Sequence, residues 1–329
     1  MFMARFTSVV INLVRASVVH TLTPLLQRSA TTMACTKLDK TSAKDLVNSV
    51  DNFLFDCDGV LWDGKGAIDG SLETIQKLLS MGKRVFYVTN NSTNTRDNYV
   101  KKCHKFGYPA QTEEIACTAY IAALYLHNIK FKGKVYVVGN PSMGVELDKL
   151  NIKHFGIGPD TFDTSEITSM LQMKLDDEVT CVLVGYDMYL NVAKISKAAS
   201  YLQNPDVLFL ATNEDSHLPV AGSKIVVPGT GTMVNAVKIP ARRDPIILGK
   251  PEKPMFEVLR ETHNLNPSRC CLVGDRINTD IGLAKCCKLK SLLVLSGVTT
   301  EQDLARVDPG SLPDLYTSSL CDLRSFINN

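Results

Sequence analysis

A run of apolar residues that ends in two acids constrains this chain more than any other feature. It reads Phe53-Leu54-Phe55-Asp56-Cys57-Asp58-Gly59-Val60-Leu61-Trp62. The apolar part has the pattern of a buried strand. A buried strand cannot hold two ionised carboxylates without partners, because bare charge is expensive to desolvate. In extended backbone, residues i and i+2 face the same side. Asp56 and Asp58 should therefore leave the strand end together, with Cys57 turned away and Gly59 allowing a sharp bend. A divalent cation with oxygen ligands is the obvious way to hold such a pair, and Mg2+ suits it. The plainer alternative is a turn in which Asp58 caps the backbone after a strand.

Three later segments repeat the theme of an apolar strand that stops at polar residues. In Val85-Phe86-Tyr87-Val88-Thr89-Asn90-Asn91-Ser92, Thr89, Asn90 and Asn91 can bind an anionic oxygen through hydroxyl, amide and backbone N–H groups. The alternative there is a loop whose asparagines satisfy their own turn. In Ile246-Ile247-Leu248-Gly249-Lys250-Pro251, one Lys is confined between Gly and Pro; otherwise it is a solvated loop lysine. In Cys270-Cys271-Leu272-Val273-Gly274-Asp275-Arg276-Ile277-Asn278-Thr279-Asp280, a strand ends in Asp275 and a second acid follows near the start of a helix. Asp280 could instead simply favour the helix dipole.

Four such strand ends converge on one chemistry, since parallel α/β sheets bind ligands at the carboxyl ends of their strands. The order Asp-x-Asp, Thr-Asn-Asn, Lys, Gly-Asp-x-x-x-x-Asp resembles the haloacid dehalogenase superfamily of aspartyl-phosphate phosphatases. Within it, the wording of the motifs is similar to the branch holding phosphoglycolate (glycerol-3-phosphate) phosphatases, pyridoxal-phosphate phosphatases and 4-nitrophenylphosphatases. The likeness runs from about Asp51 to the C-terminus. It implies a Mg2+-dependent phosphomonoester hydrolase acting on small phosphorylated metabolites, phosphoglycolate or glycerol 3-phosphate first among them. It implies Asp56 as nucleophile and Asp58 as general acid and then base. It also implies a metal held by Asp56, Asp275 and the backbone carbonyl of Asp58, with Thr89, Asn90, Asn91 and Lys250 on the phosphoryl oxygens. Asp280 would stand behind these, orienting the metal site or Lys250.

Neighbouring chemistries fit less well. Signalling receiver domains are about one small domain and lack the second Asp of the pair. Dehalogenases of the same fold lack an acid at the position of Asp58, because a halide leaves unprotonated. A binder that had lost catalysis would be expected to lack at least one of Asp56, Asp58, Lys250 or Asp275. The readings kept beside the leading one are a pyridoxal-phosphate or phosphoprotein phosphatase, or a non-catalytic regulatory binder.

The expected fold is α/β: a doubly wound, Rossmann-like parallel-sheet core with an inserted α/β cap. Core strands are expected over 52–57, 84–89, 246–248, 270–273 and 291–295, and cap strands over 135–138, 179–184 and 207–211. Thr95 reads as a helix N-cap, and Gly82 and Gly107 as helix stops. The core would take residues 39–128 and 238–329 and the cap residues 129–237, and such caps often mediate homodimers in the family. A chain of 329 residues with 45% hydrophobic content is long enough for this. A net charge of +2 with no dense basic run gives no reason to expect nucleic acid. The ten cysteines show no zinc spacing, their adjacent pairs 270–271 and 286–287 included, and read as mainly buried thiols of a reducing compartment.

Substrate identity should reside in the cap segment 211–219. Its Thr212-Asn213-x-Asp215 opening and Leu218-Pro219 ending look like the phosphoglycolate and glycerol-phosphate enzymes. Vertebrate-type members, however, place Arg where this chain has His217. His217 could bind a carboxylate only when protonated, or could hydrogen-bond a hydroxyl; the plain alternative is a surface loop histidine. Residues 228–232, Pro-Gly-Thr-Gly-Thr, read as a loop and helix start rather than an anion site. Residues 1–38 contain no Asp or Glu, and Arg5, Arg15 and Arg28 space their apolar stretches. Their apolar run over 9–14 is too short to span a bilayer, so no membrane is expected. A cytoplasmic enzyme is expected. The segment also resembles a mitochondrial presequence; an inert tail, or an extension before Met33, are the alternatives. In each case it should not pack on the fold.

Overall fold

The computed structural model describes residues 35–162, 166–218 and 224–327. In chain order these form strands β1 (Thr36–Lys37), β2 (Asn52–Asp56), β3 (Arg84–Thr89), β4 (Ile115–Cys117), β5 (Lys134–Val138), β6 (His154–Phe155), β7 (Val179–Val184), β8 (Leu208–Ala211), β9 (His217–Leu218), β10 (Val227–Pro228), β11 (Ile246–Ile247), β12 (Cys270–Gly274), β13 (Lys290–Val294) and β14 (Leu315–Thr317). Seven of them make one parallel sheet in the order β1-β14-β13-β12-β2-β3-β4. Every residue of β2 is buried, which is why it reads as an unbroken apolar run rather than an alternating one. Later strands step one way from β2 to β4 and the other way from β12 to β14. The sheet's switch point therefore lies between β2 and β12, where a crevice opens at the carboxyl ends.

The helices that cover this sheet follow from local signals. Helix Ser71–Ser80 buries Ile75 and Leu78, and Gly82 just beyond it takes φ 75°, a left-handed turn that favours glycine. The Thr95 side chain accepts from Asn98 N at 3.2 Å and starts helix Arg96–Lys105. Helix Thr118–Asn128 is apolar nearly all round, with eight buried residues, so it has to be enclosed. It packs against helices Pro141–Lys149 and Pro254–His263.

The second sheet has five parallel strands in the order β11-β8-β7-β5-β6. The two-residue period of β5 divides its side chains between two cores. Val135 and Val137 join the main core with Met143 and Leu147, while Tyr136 and Val138 pack with Ala198, Val234 and Val237. Both sheets belong to one compact unit. Cys57, Cys103, Cys117, Cys181, Cys270 and Cys271 are buried in these cores, and Cys286 is exposed. No helix among the described residues is long and apolar enough to cross a membrane.

Two expectations are corrected. Ile246–Ile247 is not a strand of the first sheet: as β11 it pairs in parallel with Leu210 and Ala211 of β8, so the second sheet extends past residue 237. A short apolar run records that it is half-buried, not which sheet edge receives it. The segment 1–38 also does not stay wholly off the fold. Residues 1–34 lie outside the described residues, but β1 pairs with Leu315 and Tyr316 of β14, and Leu38 is buried. Both side chains of β1 are exposed, so the strand leaves no apolar period to read.

Candidate active site

The first buried charge cluster forms where β2, β3 and β12 end. Asp56 closes β2, and its Oδ1 accepts from Lys250 Nζ at 2.5 Å. The same ammonium donates to Asp280 Oδ1 at 2.8 Å and reaches the Val88 carbonyl at 3.5 Å. Asp280 Oδ2 accepts the Arg276 backbone N–H at 3.1 Å. Both Asp280 oxygens are therefore committed, one of them to Lys250. Asp275 follows β12, and its Oδ2 accepts the Val298 N–H at 2.7 Å. Its Oδ1 is buried and accepts no hydrogen bond from the described residues. Gly59 makes this closeness feasible: it sits at φ +88°, and a Cβ there would lie 2.5 Å from Asp275 Oδ2.

Carboxylate oxygens of Asp56, Asp275 and Asp280 lie within 4.8 Å of one another, and all three residues are buried. Among the described residues, Lys250 pairs with two of them, Asp56 and Asp280, so three carboxylates share one ammonium and negative charge is in excess. Burial raises the Asp56 pKa well above the usual carboxylate range; Lys250 opposes this, and Asp280 and Asp275 add to it. Asp275 is pushed up to about 6, by burial first and then by Asp280. For Lys250, burial acts downward but is outweighed by Asp280 and Asp56, so its pKa is raised and it stays protonated. The residual charge, the unpaired Asp275 Oδ1 and the Asp56 oxygen that Lys250 leaves free suit a hard divalent cation with oxygen ligands.

The other residues singled out in the sequence are brought to the same place with different partners. Asp58 shares a cavity of about 270 Å³ with Asp56, Thr89 and Lys250. Its carboxylate is not part of the buried trio: Oδ1 accepts the Trp62 indole N–H at 2.9 Å. Thr89 is buried, and its hydroxyl accepts the Asn91 N–H at 3.2 Å. Both asparagines line the cavity, but their side-chain oxygens are already engaged. Asn91 Oδ1 accepts from Thr93 N and Oγ1, each at 2.7 Å, as a turn asparagine does. Asn90 brackets Lys250, with its Oδ1 taking the Lys250 N–H at 2.8 Å and its Nδ2 donating to the Lys250 carbonyl at 3.0 Å. Its Nδ2 also reaches Asp215 Oδ1 at 3.3 Å, and its own carbonyl accepts from Asn213 at 2.6 Å. Asn90 is a strut between the first sheet, the Lys250 loop and segment 211–218.

His217 lies on the two-stranded β9–β10 hairpin at the cavity's edge, exposed, with its Nδ1 2.9 Å from Ser216 Oγ. The 228–232 segment is the start of helix Thr230–Ala241. Its Gly229 and Gly231 N–H groups are taken by the Ser216 and Asp215 carbonyls, so they hold the hairpin rather than an anion. The sequence reading missed Tyr186, Arg276 and Thr279 as cavity-lining residues. Tyr186 follows β7, and the rule that ligands gather at strand ends could have found it.

Comparison with known proteins bears on this arrangement. A model of the haloacid dehalogenase-like hydrolases matches residues 53–153, and a HAD-hydrolase-like model matches residues 247–323. Rat glycerol-3-phosphate phosphatase is 37% identical over 88% of this chain and 94% of its own length. The chain belongs to the haloacid dehalogenase-like hydrolases. Among other members of that family, Arabidopsis thaliana phosphoglycolate phosphatase 1A is 39% identical over 86% of this chain and 79% of its own. The p-nitrophenyl phosphatase structure from Archaeoglobus fulgidus superposes with a TM-score of 0.73 at 25% identity, covering 84% of this chain and 99% of that one. Strands β2, β3 and β5 fall in the first matched interval and β12 in the second, with β7 and β8 between the two intervals.

Proposed function

We propose that this chain is a Mg2+-dependent phosphomonoesterase that acts on small phosphorylated metabolites, phosphoglycolate or glycerol 3-phosphate among them, through an aspartyl-phosphate. One observation carries the reading. A buried carboxylate, Asp56, has one oxygen fixed by Lys250 and lines a polar cavity, near a second buried carboxylate, Asp275, with an oxygen that no described residue pairs. The relatives named above are phosphatases of such substrates, which supports the same class here.

Asp56, Asp275 and the Asp58 carbonyl would hold the ion, which supplies positive charge against a dianionic phosphoryl group. Asp56 Oδ2 attacks phosphorus, and the bond from phosphorus to the ester oxygen breaks. Asp58, at the cavity wall, gives its proton to the departing alkoxide. A water then attacks the phosphoryl group, Asp58 takes a proton from it, and the bond to Asp56 breaks to free phosphate. Lys250 and Thr89 stabilise the phosphoryl oxygens as charge shifts. Asn90 fixes the Lys250 backbone and Asp280 its ammonium. The cavity of about 270 Å³ is sized for a small ester.

The direct test is phosphate release with Mg2+ across phosphoglycolate, glycerol 3-phosphate, pyridoxal phosphate and 4-nitrophenyl phosphate. Turnover of the first two, stopped by a chelator and restored by Mg2+, is the expected result. No release from any of them by folded protein would reject the reading. His217→Ala should alter the phosphoglycolate to glycerol 3-phosphate ratio of kcat/KM by about threefold or more, as loss of one polar contact does. An unchanged ratio would reduce His217 to a loop residue.

Metal binding should be linked to protons. The Asp275 and Asp56 pKa values are raised in the fold, so the metal-free native chain keeps protons that the unfolded chain has lost. Its stability therefore falls as pH rises through the unfolded carboxylate range towards about 6. An ion needs the deprotonated forms and so recovers more stability at higher pH. Saturating Mg2+ should raise Tm by about 5 °C or more at pH 7.5 and by much less at pH 5. Equal shifts at the two values would mean that these carboxylates are not the ligands.

A further inference from the structure

We propose that Trp62 and Lys102 are positioning residues for Asp58: they hold one carboxylate oxygen so that the other is presented to the leaving group. The inference rests on the reading of Asp58 as the acid given above. Asp58 sits in the turn after β2, and its side chain is about half exposed, with a side-chain relative exposure of 45%. An aspartate there has little packing of its own to select a rotamer. The hydrogen-bond donors around it make that choice.

Trp62 is the only tryptophan in the sequence and is fully buried. A buried indole N–H needs an acceptor, and here it donates to Asp58 Oδ1 at 2.9 Å. Lys102, on helix Arg96–Lys105, brings its Nζ to 3.7 Å from the same oxygen and to 4.3 Å from the centre of the Trp62 ring. The ammonium thus caps the indole face and the carboxylate at once. Oδ2 takes neither contact.

The anchor itself is rigid. The Trp62 ring packs against Phe106 and Tyr108, with centroids 5.8 and 5.9 Å away. Tyr108 donates its hydroxyl to the Leu61 carbonyl at 2.6 Å. The Trp62 carbonyl accepts the Gly59 N–H at 2.8 Å, and the Trp62 N–H reaches the Cys57 carbonyl at 3.2 Å. The turn that carries Asp58 is therefore closed onto the residue that orients it. Groups that deliver a proton must be held in reach of the receiving atom, and small displacements are costly.

The chemistry offers a readout that a merely structural role would not move. An alkoxide is a poor leaving group and needs a proton, whereas 4-nitrophenolate departs without one. The ratio of kcat/KM, which covers only the steps up to transfer onto Asp56, should therefore report on Asp58's placement. The full-length protein with Mg2+ would be assayed on glycerol 3-phosphate and 4-nitrophenyl phosphate as wild type, Lys102→Met, Trp62→Phe and Asp58→Asn. Asp58→Asn should collapse the alkyl-to-aryl ratio, and Lys102→Met and Trp62→Phe should lower it about five- to tenfold. A ratio that rises or stays constant in Lys102→Met overturns the proposal, whatever Trp62→Phe does. If Trp62→Phe does not fold, the partly exposed Lys102 still decides. An unchanged ratio in Asp58→Asn would be a different failure: the acid role itself falls, and the inference with it.

Discussion

Asp56→Asn is expected to lower phosphate release by on the order of 10⁵-fold, as removal of a covalent nucleophile does. The amide can still accept the Lys250 hydrogen bond that Asp56 Oδ1 receives at 2.5 Å, so the site should keep its shape. What it loses is the nucleophile and one charge. The same substitution should leave the metal-free fold as stable as before, or more stable by about 1 kcal/mol, as is usual where function requires crowded charge. The reason is the imbalance around Lys250. Burial holds Asp56 well above the usual carboxylate pKa, with Asp280 and Asp275 adding to the effect. Taking away one carboxylate relieves that repulsion, while Lys250 remains paired with Asp280 at 2.8 Å. The Tm gain on adding Mg2+ should shrink in the variant. Phosphate release within tenfold of wild type would sink the covalent role, and a large loss of metal-free stability would sink the account of the charge balance.

Lys250→Met should be the most damaging exchange for the fold. Met fills a similar volume but leaves Asp56 and Asp280 buried with no cation between them. Breaking a buried pair by removing one partner costs about 3–5 kcal/mol, because a charge is left uncompensated. Without Lys250, Asp56 loses the charge that opposes its burial, so its pKa in the fold rises further. A raised carboxyl destabilises the native chain more as pH increases above its unfolded value. The stability gap to wild type should therefore be widest near pH 8 and narrow towards pH 5. Urea unfolding at the two values measures it. A gap below about 1 kcal/mol at pH 8 would mean the trio is already relieved by water or by movement. Activity should fall by on the order of 10³-fold, the usual cost of removing a donor aimed at developing negative charge.

Much of this site is readable from residue order. Asp56, Thr89 and Asp275 each follow an apolar run that proved to be β2, β3 or β12, and these three strands are neighbours at the switch point. Lys250 was legible as a confined lysine between Gly249 and Pro251, but its two carboxylate partners were not. The asparagines show the limit most clearly. The sequence offered Asn90 as a group for anion contact or for its own turn. The structure commits its side chain to the backbone of Lys250, 160 residues away. Trp62 gave no hint that its indole N–H would end on Asp58 rather than on a backbone carbonyl.

The amino-acid sequence by itself determined the parallel α/β class, the strand ends that carry acids and the lysine, and the presence of a second α/β block between the Thr89 and Lys250 segments. These rest on patterns of period two and 3.6 and on turn chemistry, which act over a few residues. The tertiary structure alone decided that β11 joins the second sheet, that β1 adds an edge strand, and which oxygen of each carboxylate is taken and which is left open. Those outcomes depend on which groups meet across the fold and which polar atoms are then left to satisfy, and no local pattern carries that information.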